Sequence, residues 1–131
     1  MKLYCKNCNK EFNTTNAKKI YCSRLCRNEK RSLRYHSINN CIVGVSAGTV
    51  GAINELKVAI DLMKKGKEVF RALSPSCSCD LVVLEKNSIK RVEVRTGHYS
   101  GNGKLFYPYP KDGKADLWAV VVGDTIEYFN K

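Results

Sequence analysis

Between residues 51 and 65 the apolar positions recur with a helical period, and Ile53, Leu56, Ala59, Ile60, Leu62 and Met63 fill one broad arc of a helical wheel. Two lysines followed by Gly66 supply the expected C-terminal stop. Glu55 falls inside that arc, between Ala59 and Leu62, where a carboxylate needs a cation, a metal or a helix N-terminus beside it. Past Gly66 the period shortens to two. Strand-like runs cover 67–73, 80–85 and 89–95, the last two joined across Lys86, Asn87 and Ser88 by a short hairpin turn. In the third run Ile89, Arg91, Glu93 and Arg95 share one face, while Val92 and Val94 point to the other. Residues 96–115 keep no period and read as a long loop, functional or mobile, rich in Gly, Tyr, Pro and Lys. A closing hairpin then spans 116–122 and 125–129 around Gly123-Asp124, with Leu117 to Val122 as a central buried strand. A helix followed by a strand meander gives an α/β fold.

The first 26 residues show neither period. They hold Cys5-x2-Cys8 and Cys22-x3-Cys26 separated by thirteen residues, with Tyr4, Phe12 and Tyr21 as the aromatic side chains. So small a unit has no core of its own. Two short-spaced cysteine pairs match the four thiolates that tetrahedral Zn²⁺ takes at about 2.3 Å, and the metal then supplies the folding free energy. Unmetallated surface thiols or an iron–sulfur cluster are the competing readings. Cys41, Cys77 and Cys79 remain as free small hydrophobes, the latter two being too close for an ordinary disulfide. Residues 23–36 form a basic, helix-compatible stretch in which Arg24, Arg27, Lys30, Arg31 and Arg34 recur at three- and four-residue steps, with His36 as an exposed polar residue. Such a face either lies along phosphates or is simply solvated. The division expected is a four-cysteine zinc module with its basic helix at 1–36, a linker at 37–50, and a second domain at 51–131.

Composition sharpens this. The chain has 131 residues and a formal net charge of +11, room for one ordinary core and a small satellite. The excess is uneven, with ten basic and two acidic side chains in residues 1–41 against thirteen and ten in the rest. A polyanion is therefore the expected partner, chiefly of the N-terminal third, although four zinc-bound thiolates offset part of that charge. No run approaches the ~20 apolar residues that span a bilayer and no signal-like segment follows Met1, so the expectation is a cytoplasmic protein without a membrane partner. In the long loop, Tyr99, Phe106, Tyr107 and Tyr109 alternate with Lys104, Lys111 and Lys114, which suits sugar-phosphate and bases or, equally, aromatics tucked onto the core.

The chemistry rests on carboxylates. Asp80 opens one strand and Glu93 sits late on the next, so the two can converge at one end of the sheet, and Glu55 would add a third. A hard divalent cation answers such a cluster, because Mg²⁺ takes oxygen ligands and both activates water and neutralises charge on a phosphate. Taken singly, Glu55 is equally a lysine partner, Asp80 a turn residue, and Glu93 with Arg95 a same-face ion pair. Glu55 on the helix, Asp80, and Val92-Glu93-Val94-Arg95-Thr96-Gly97 after a twelve-residue spacer resemble the PD-(D/E)XK nuclease superfamily. The stretch from about residue 50 to 129 is most similar to its small branch of homing endonucleases and Holliday-junction-resolvase relatives. That resemblance implies a mixed central sheet with a leading helix, Mg²⁺ held by Asp80 and Glu93 with support from Glu55, and hydrolysis of phosphodiester bonds in double-stranded DNA. It also implies a symmetric homo-oligomer, a dimer or tetramer, acting site-specifically in a homing- or restriction-like role. Arg95 stands where the family has lysine. Guanidinium stays charged and cannot be a base, yet it binds phosphate in a forked geometry, and Lys90, Lys104 or Lys114 are alternative sources of an ammonium. The competing functions are a catalytically silent DNA-binding protein, a structure-selective junction resolvase, and an adaptor whose zinc module binds protein.

Overall fold

The computed structural model describes residues 1–109 and 114–130. The chain divides into two compact units, Met1–Gly44 and Val45–Lys131.

In the first unit, β1 (Lys2–Tyr4) pairs antiparallel with β2 (Glu11–Asn13), setting Leu3 opposite Phe12. Asn9 tolerates the positive φ of 59° that the intervening turn demands, and its N–H donates to Cys5 O at 2.9 Å. A two-stranded hairpin of this size has little independent stability. The cysteines it carries are what anchor it. Helix α1 (Arg24–Ile38) starts where Ser23 Oγ accepts the Cys26 N–H, a serine N-cap, and runs two residues past the basic stretch. His36, expected at the surface, is buried. A side chain reaching back along its own helix explains the tolerance: Nδ1 lies 2.7 Å from Ser32 O, which can only accept, so the proton sits on Nδ1.

The second unit opens with α2 (Ala47–Lys64), capped by Ser46 Oγ on the Thr49 N–H. It begins four residues earlier than the periodicity suggested, so six of the fourteen residues of the expected linker are helical, and the stretch between helices shortens to 39–46. A five-stranded sheet follows in the order β3-β4-β5-β8-β9, built from β3 (Glu68–Arg71), β4 (Leu81–Glu85), β5 (Ser88–Thr96), β8 (Leu117–Val122) and β9 (Thr125–Asn130). All neighbours are antiparallel except β5 and β8, which makes the sheet mixed. The long loop expected at 96–115 carries a small hairpin of its own, β6 (His98–Tyr99) against β7 (Leu105–Phe106). Gly97 admits no side chain there, because a Cβ would stand 2.6 Å from Val120 Cγ1 and 3.0 Å from Phe106 O.

Helix α2 packs on one sheet face, where Val58, Ala59 and Leu62 meet Leu81, Val83, Val92, Val94, Ala119 and Val121. Fully burying each large aliphatic side chain contributes roughly 1.5–3 kcal/mol. The buried arc of α2 is not the one the wheel selected. Val50, Asn54 and Val58 join Ala59 and Leu62 inside, whereas Leu56, Ile60 and Met63 are about half exposed. With apolar residues on both flanks, periodicity alone cannot choose a side; the sheet does. The opposite sheet face carries Glu93, Arg95 and Trp118 by alternation along the strands. Tyr107 stacks on Phe129 there and Tyr109 tilts against Trp118, so these loop aromatics are packed.

Candidate metal centres and nucleic-acid surface

The two cysteine knuckles meet through the hairpin turn and the first turn of α1. Lys6 N–H donates to Ile20 O at 2.9 Å, and Asn7 Nδ2 donates to Glu29 Oε2 at 2.7 Å, clasping the first knuckle to the helix. Cys5, Cys8, Cys22 and Cys26 then place their sulfurs within 4.8 Å of one another. Cys8–Cys22 and Cys22–Cys26 separations are 3.6 and 3.5 Å. A zinc–thiolate tetrahedron has edges of about 3.8 Å, and a disulfide would need about 2.05 Å, so the donor set fits zinc and is not a pair of bridges. The sulfurs are not equivalent. Burial works against ionising Cys5, but N–H groups of Cys22, Cys8 and Asn7 outweigh it and bring the thiol down to about 6. Cys26 is also lowered, first by the Ser23 hydroxyl, while Cys22, shared with Cys26, is pushed up to about 12. Crowded sulfurs must keep a proton among them unless a cation takes its place.

On α1, Arg24, Arg27, Lys30, Arg31 and Arg34 are all exposed and line one groove. Among the described residues of the long loop, Tyr99 donates its hydroxyl to Glu127 at 2.8 Å, a bond that raises its pKa, and Lys104 Nζ sits 5.3 Å over the Phe106 ring. Lys111 lies outside the described residues.

Asp80 and Glu93 come from adjacent strands at the end of the sheet where Leu81 pairs with Val92. Asp80 N–H donates to Val92 O, and its Oδ2 accepts the Val94 N–H at 2.8 Å, capping β5 beyond the start of β4. Glu93, with a side chain only 14% exposed, is held by Arg95 Nη1 at 2.7 Å. Arg95 Nε is buried without a hydrogen-bond partner among the described residues. Next to Asp80 in the chain, Cys79 is a buried thiol raised by desolvation first and then by the charges of Glu93 and Asp80. Glu55 does not join them. It sits on the helix that covers the other sheet face, and its Oε2 is 3.3 Å from Arg71 Nη2. Its required partner is thus an arginine of β3. Among the described residues the cysteine quartet is the group of three or more potential ligands gathered within 4.8 Å; the three acids do not form another. Asp80 and Glu93 nevertheless fit a hard cation chemically, as oxygen donors one strand apart.

The alternative ammonium sources are engaged elsewhere. Lys90 pairs with Glu85 at 3.7 Å near the hairpin end of β5, and Lys104 rests on Phe106. Two features had no signal in the sequence. Arg71 was read only as part of a strand, and Asn54, buried to 1% exposure, donates Nδ2 to Thr96 Oγ1 at 2.8 Å, tying α2 to the end of β5 beside Arg95. Neither position is marked by periodicity. Cys77, expected as a small hydrophobe, is exposed.

Fold and sites define a mixed α/β protein: a leading helix on a mixed five-stranded sheet, accompanied by a four-cysteine cluster able to hold a metal ion. No family model matches the sequence, and no curated protein does. Among solved structures, the chain is similar to a bacterial homing endonuclease, I-Ssp6803I, with a TM-score of 0.58 and 20% identity, covering 65% of this chain. It spans 65% of the length of that protein. At this identity the likeness is one of fold.

Proposed function

We propose that this protein is a Mg²⁺-dependent endodeoxyribonuclease that cuts double-stranded DNA site-specifically, in a homing- or restriction-like role, with a zinc module that aids DNA binding. The observation that carries the reading is the juxtaposition of Asp80, Glu93 and Arg95 at one end of a mixed sheet whose fold is similar to that of a homing endonuclease. Asp80 and Glu93 would hold Mg²⁺, which when bound supplies water activation and neutralises charge on the phosphate. Arg95 holds Glu93 in place, and as a permanent cation it stabilises charge rather than moving a proton. Glu55 acts at one remove, fixing Arg71 at the edge strand. Arg24, Arg27, Lys30, Arg31 and Arg34 contact phosphates, and zinc on Cys5, Cys8, Cys22 and Cys26 holds their helix to the hairpin. Tyr99 and Lys111 belong to the loop assigned to contact DNA, Tyr99 anchoring it through Glu127.

A chain this small reads a short site, and a symmetric dimer or tetramer extends it. Leu56, Ile60 and Met63 form an exposed apolar stripe on α2 that supports such an assembly. No helix of the described residues is long and apolar enough to cross a membrane, which accords with a cytoplasmic site of action. The second reading, a catalytically silent DNA-binding protein of the same fold, is favoured by one observation, arginine at position 95.

The test is incubation with supercoiled plasmid and a four-way junction, with and without added Mg²⁺, for wild type and Glu93→Ala. Mg²⁺-dependent cleavage abolished by Glu93→Ala supports the nuclease, and preference for the junction redirects it to a resolvase. Binding without cleavage on both substrates, in Mg²⁺ and Mn²⁺, sinks catalysis and leaves the silent binder.

A further inference from the structure

The basic face of α1 is one wall of a groove, and its other wall is a loop that carries chemistry of the same sign. A groove of about 600 Å³ runs between the helix and residues 16–21, and Lys18 and Lys19 come from the loop side. Among the described residues, no carboxylate lines it. This loop is built, not loose: Asn16 N–H donates to Thr14 Oγ1 at 3.1 Å, Lys18 N–H to Asn16 Oδ1 at 2.9 Å, and Lys19 N–H to Asn16 O at 3.1 Å. Ile20 O accepts from Lys6 N–H, which fastens the loop's end to the first knuckle, and Lys19 Nζ lies 5.5 Å over the Phe12 ring. The loop also lies between Cys8 and Cys22 in the chain, so the quartet that fixes the start of α1 fixes this wall too.

Opposite it, Arg24, Arg27, Arg31 and Arg34 fall within one narrow sector of the helix. Ten residues of helix measure about 15 Å, which corresponds to about four nucleotides of one strand along a duplex axis. Tyr21 is the aromatic side chain among the lining residues, and the amide and hydroxyl groups there, on Asn16 and Ser23, are few beside the cations. That composition neutralises phosphates. Arginine also reads guanine, but here the cations are spread over about 15 Å of one wall and repeated on the other, an arrangement that follows a strand, and Tyr21 by itself gives no row of stacking platforms for unpaired bases.

We propose that this groove seats the sugar–phosphate backbone of one strand of duplex DNA between two cationic walls, with Lys18 and Lys19 as phosphate contacts additional to those of α1. The zinc module then supplies affinity and register, and the choice of sequence is made elsewhere in the chain. This rests on the DNA-binding part of the function proposed above.

The experiment measures binding of the intact zinc-loaded protein to short fluorescent duplexes of unrelated sequence, from 50 to 200 mM salt. It compares wild type, Lys18→Ala/Lys19→Ala, and Lys6→Ala/Lys10→Ala, which removes the same charge from exposed positions outside the groove. Zinc content per chain checks that each variant keeps its module. Loss of two phosphate contacts lowers the slope of log K against log salt by about 2, so the groove variant loses about tenfold more affinity at 50 mM than at 200 mM. The loss is the same factor on every duplex, and the control pair keeps the wild-type slope. Equal slopes for the two variants reduce the groove to a diffuse field and overturn it. Loss confined to one duplex sequence also overturns it, because the contacts would then be reading bases. A wild type with no salt-dependent duplex affinity removes DNA binding itself, and the groove with it.

Discussion

Asp80 has a structural role and a proposed one, and a pair of substitutions divides them. Its Oδ2 accepts the Val94 N–H at 2.8 Å, filling the place that a longer β4 would fill with a backbone carbonyl. In the proposed reaction the same carboxylate also holds Mg²⁺. Asp80→Ala leaves the Val94 N–H without its acceptor, which costs about 1–2 kcal/mol where water reaches the half-buried position. For a unit of this size that is a fall in Tm of about 5–15 °C. Asp80→Asn keeps an oxygen for the N–H but removes its charge, and since charge-assisted bonds are roughly twice as strong as neutral ones, it costs about half as much. Cleavage does not follow stability. Both variants lose the anionic ligand, and with several kcal/mol of charge stabilisation gone, cutting falls by about 1,000-fold in each. Thermal unfolding and Mg²⁺-dependent plasmid nicking on the same preparations provide the comparison. A near-wild-type rate for Asp80→Asn refutes the metal role, and equal Tm losses for the two variants refute the capping role.

Removing the metal from the cysteine quartet, or Cys22→Ser, is expected to lower bound zinc from one per chain to near zero, with loss of the α1 contribution to far-ultraviolet ellipticity while α2 persists; an unchanged spectrum would mean that the hairpin and helix hold without metal. Tyr128→Phe should destabilise the 45–131 unit by about 1 kcal/mol at neutral pH, because the phenol donates to Asp61, which also pairs with Lys65 at 3.0 Å. Asp61 is depressed first by that phenol and then by Lys65, so the contribution is present above the unfolded carboxylate value of about 3.9 and fades as pH falls through the depressed one. A wild-type-to-variant difference that stays constant down to pH 2 in urea titrations contradicts this. Ile60→Glu, at a position half exposed on α2, should leave the unfolding free energy of a dilute sample within about 0.5 kcal/mol of wild type yet shift light-scattering mass toward the monomer; an unchanged mass would move the interface off this stripe.

The cysteine quartet was legible because each pair's signal is local: two short spacings put each pair on one knuckle, and a tetrahedral metal then requires that the pairs meet. Strand order was partly legible for the same reason, since the β4–β5 and β8–β9 hairpins are set by short turns. The parallel β5–β8 pairing was not legible: the family resemblance implied a mixed sheet without saying which strands run parallel, and no turn specifies a pairing that crosses 97–116. Gly97 shows what that crossing needs, a position without Cβ beneath Val120, and the sequence marks it only as one more glycine.

The candidate site was the least legible part, and Glu55 shows why. The wheel correctly set it beside Ala59 and Leu62 and required a partner, but it could not say which strand would supply one. Had the leading helix delivered Glu55 to Asp80 and Glu93, three carboxylates would have met beside Arg95, leaving an excess of negative charge. The fold instead assigns each acid a local partner: Arg71 for Glu55, the Val94 N–H for Asp80, and Arg95 for Glu93. All three lie toward the end of the sheet where Arg71, Leu81 and Val92 are in register, but Arg71 turns to Glu55 of the covering helix while Glu93 and Arg95 stand on the opposite face; the Cys79 thiol is raised by desolvation and by the charges of Glu93 and Asp80. A cation entering there competes with Arg95 for Glu93, and the arginine it releases carries a positive charge at the point where a phosphate would need one. Lysine in that position would leave a smaller, single-point cation. On the proposed reading, arginine at 95 changes how charge is stabilised rather than abolishing the site, and Glu93 is the residue through which that exchange would pass.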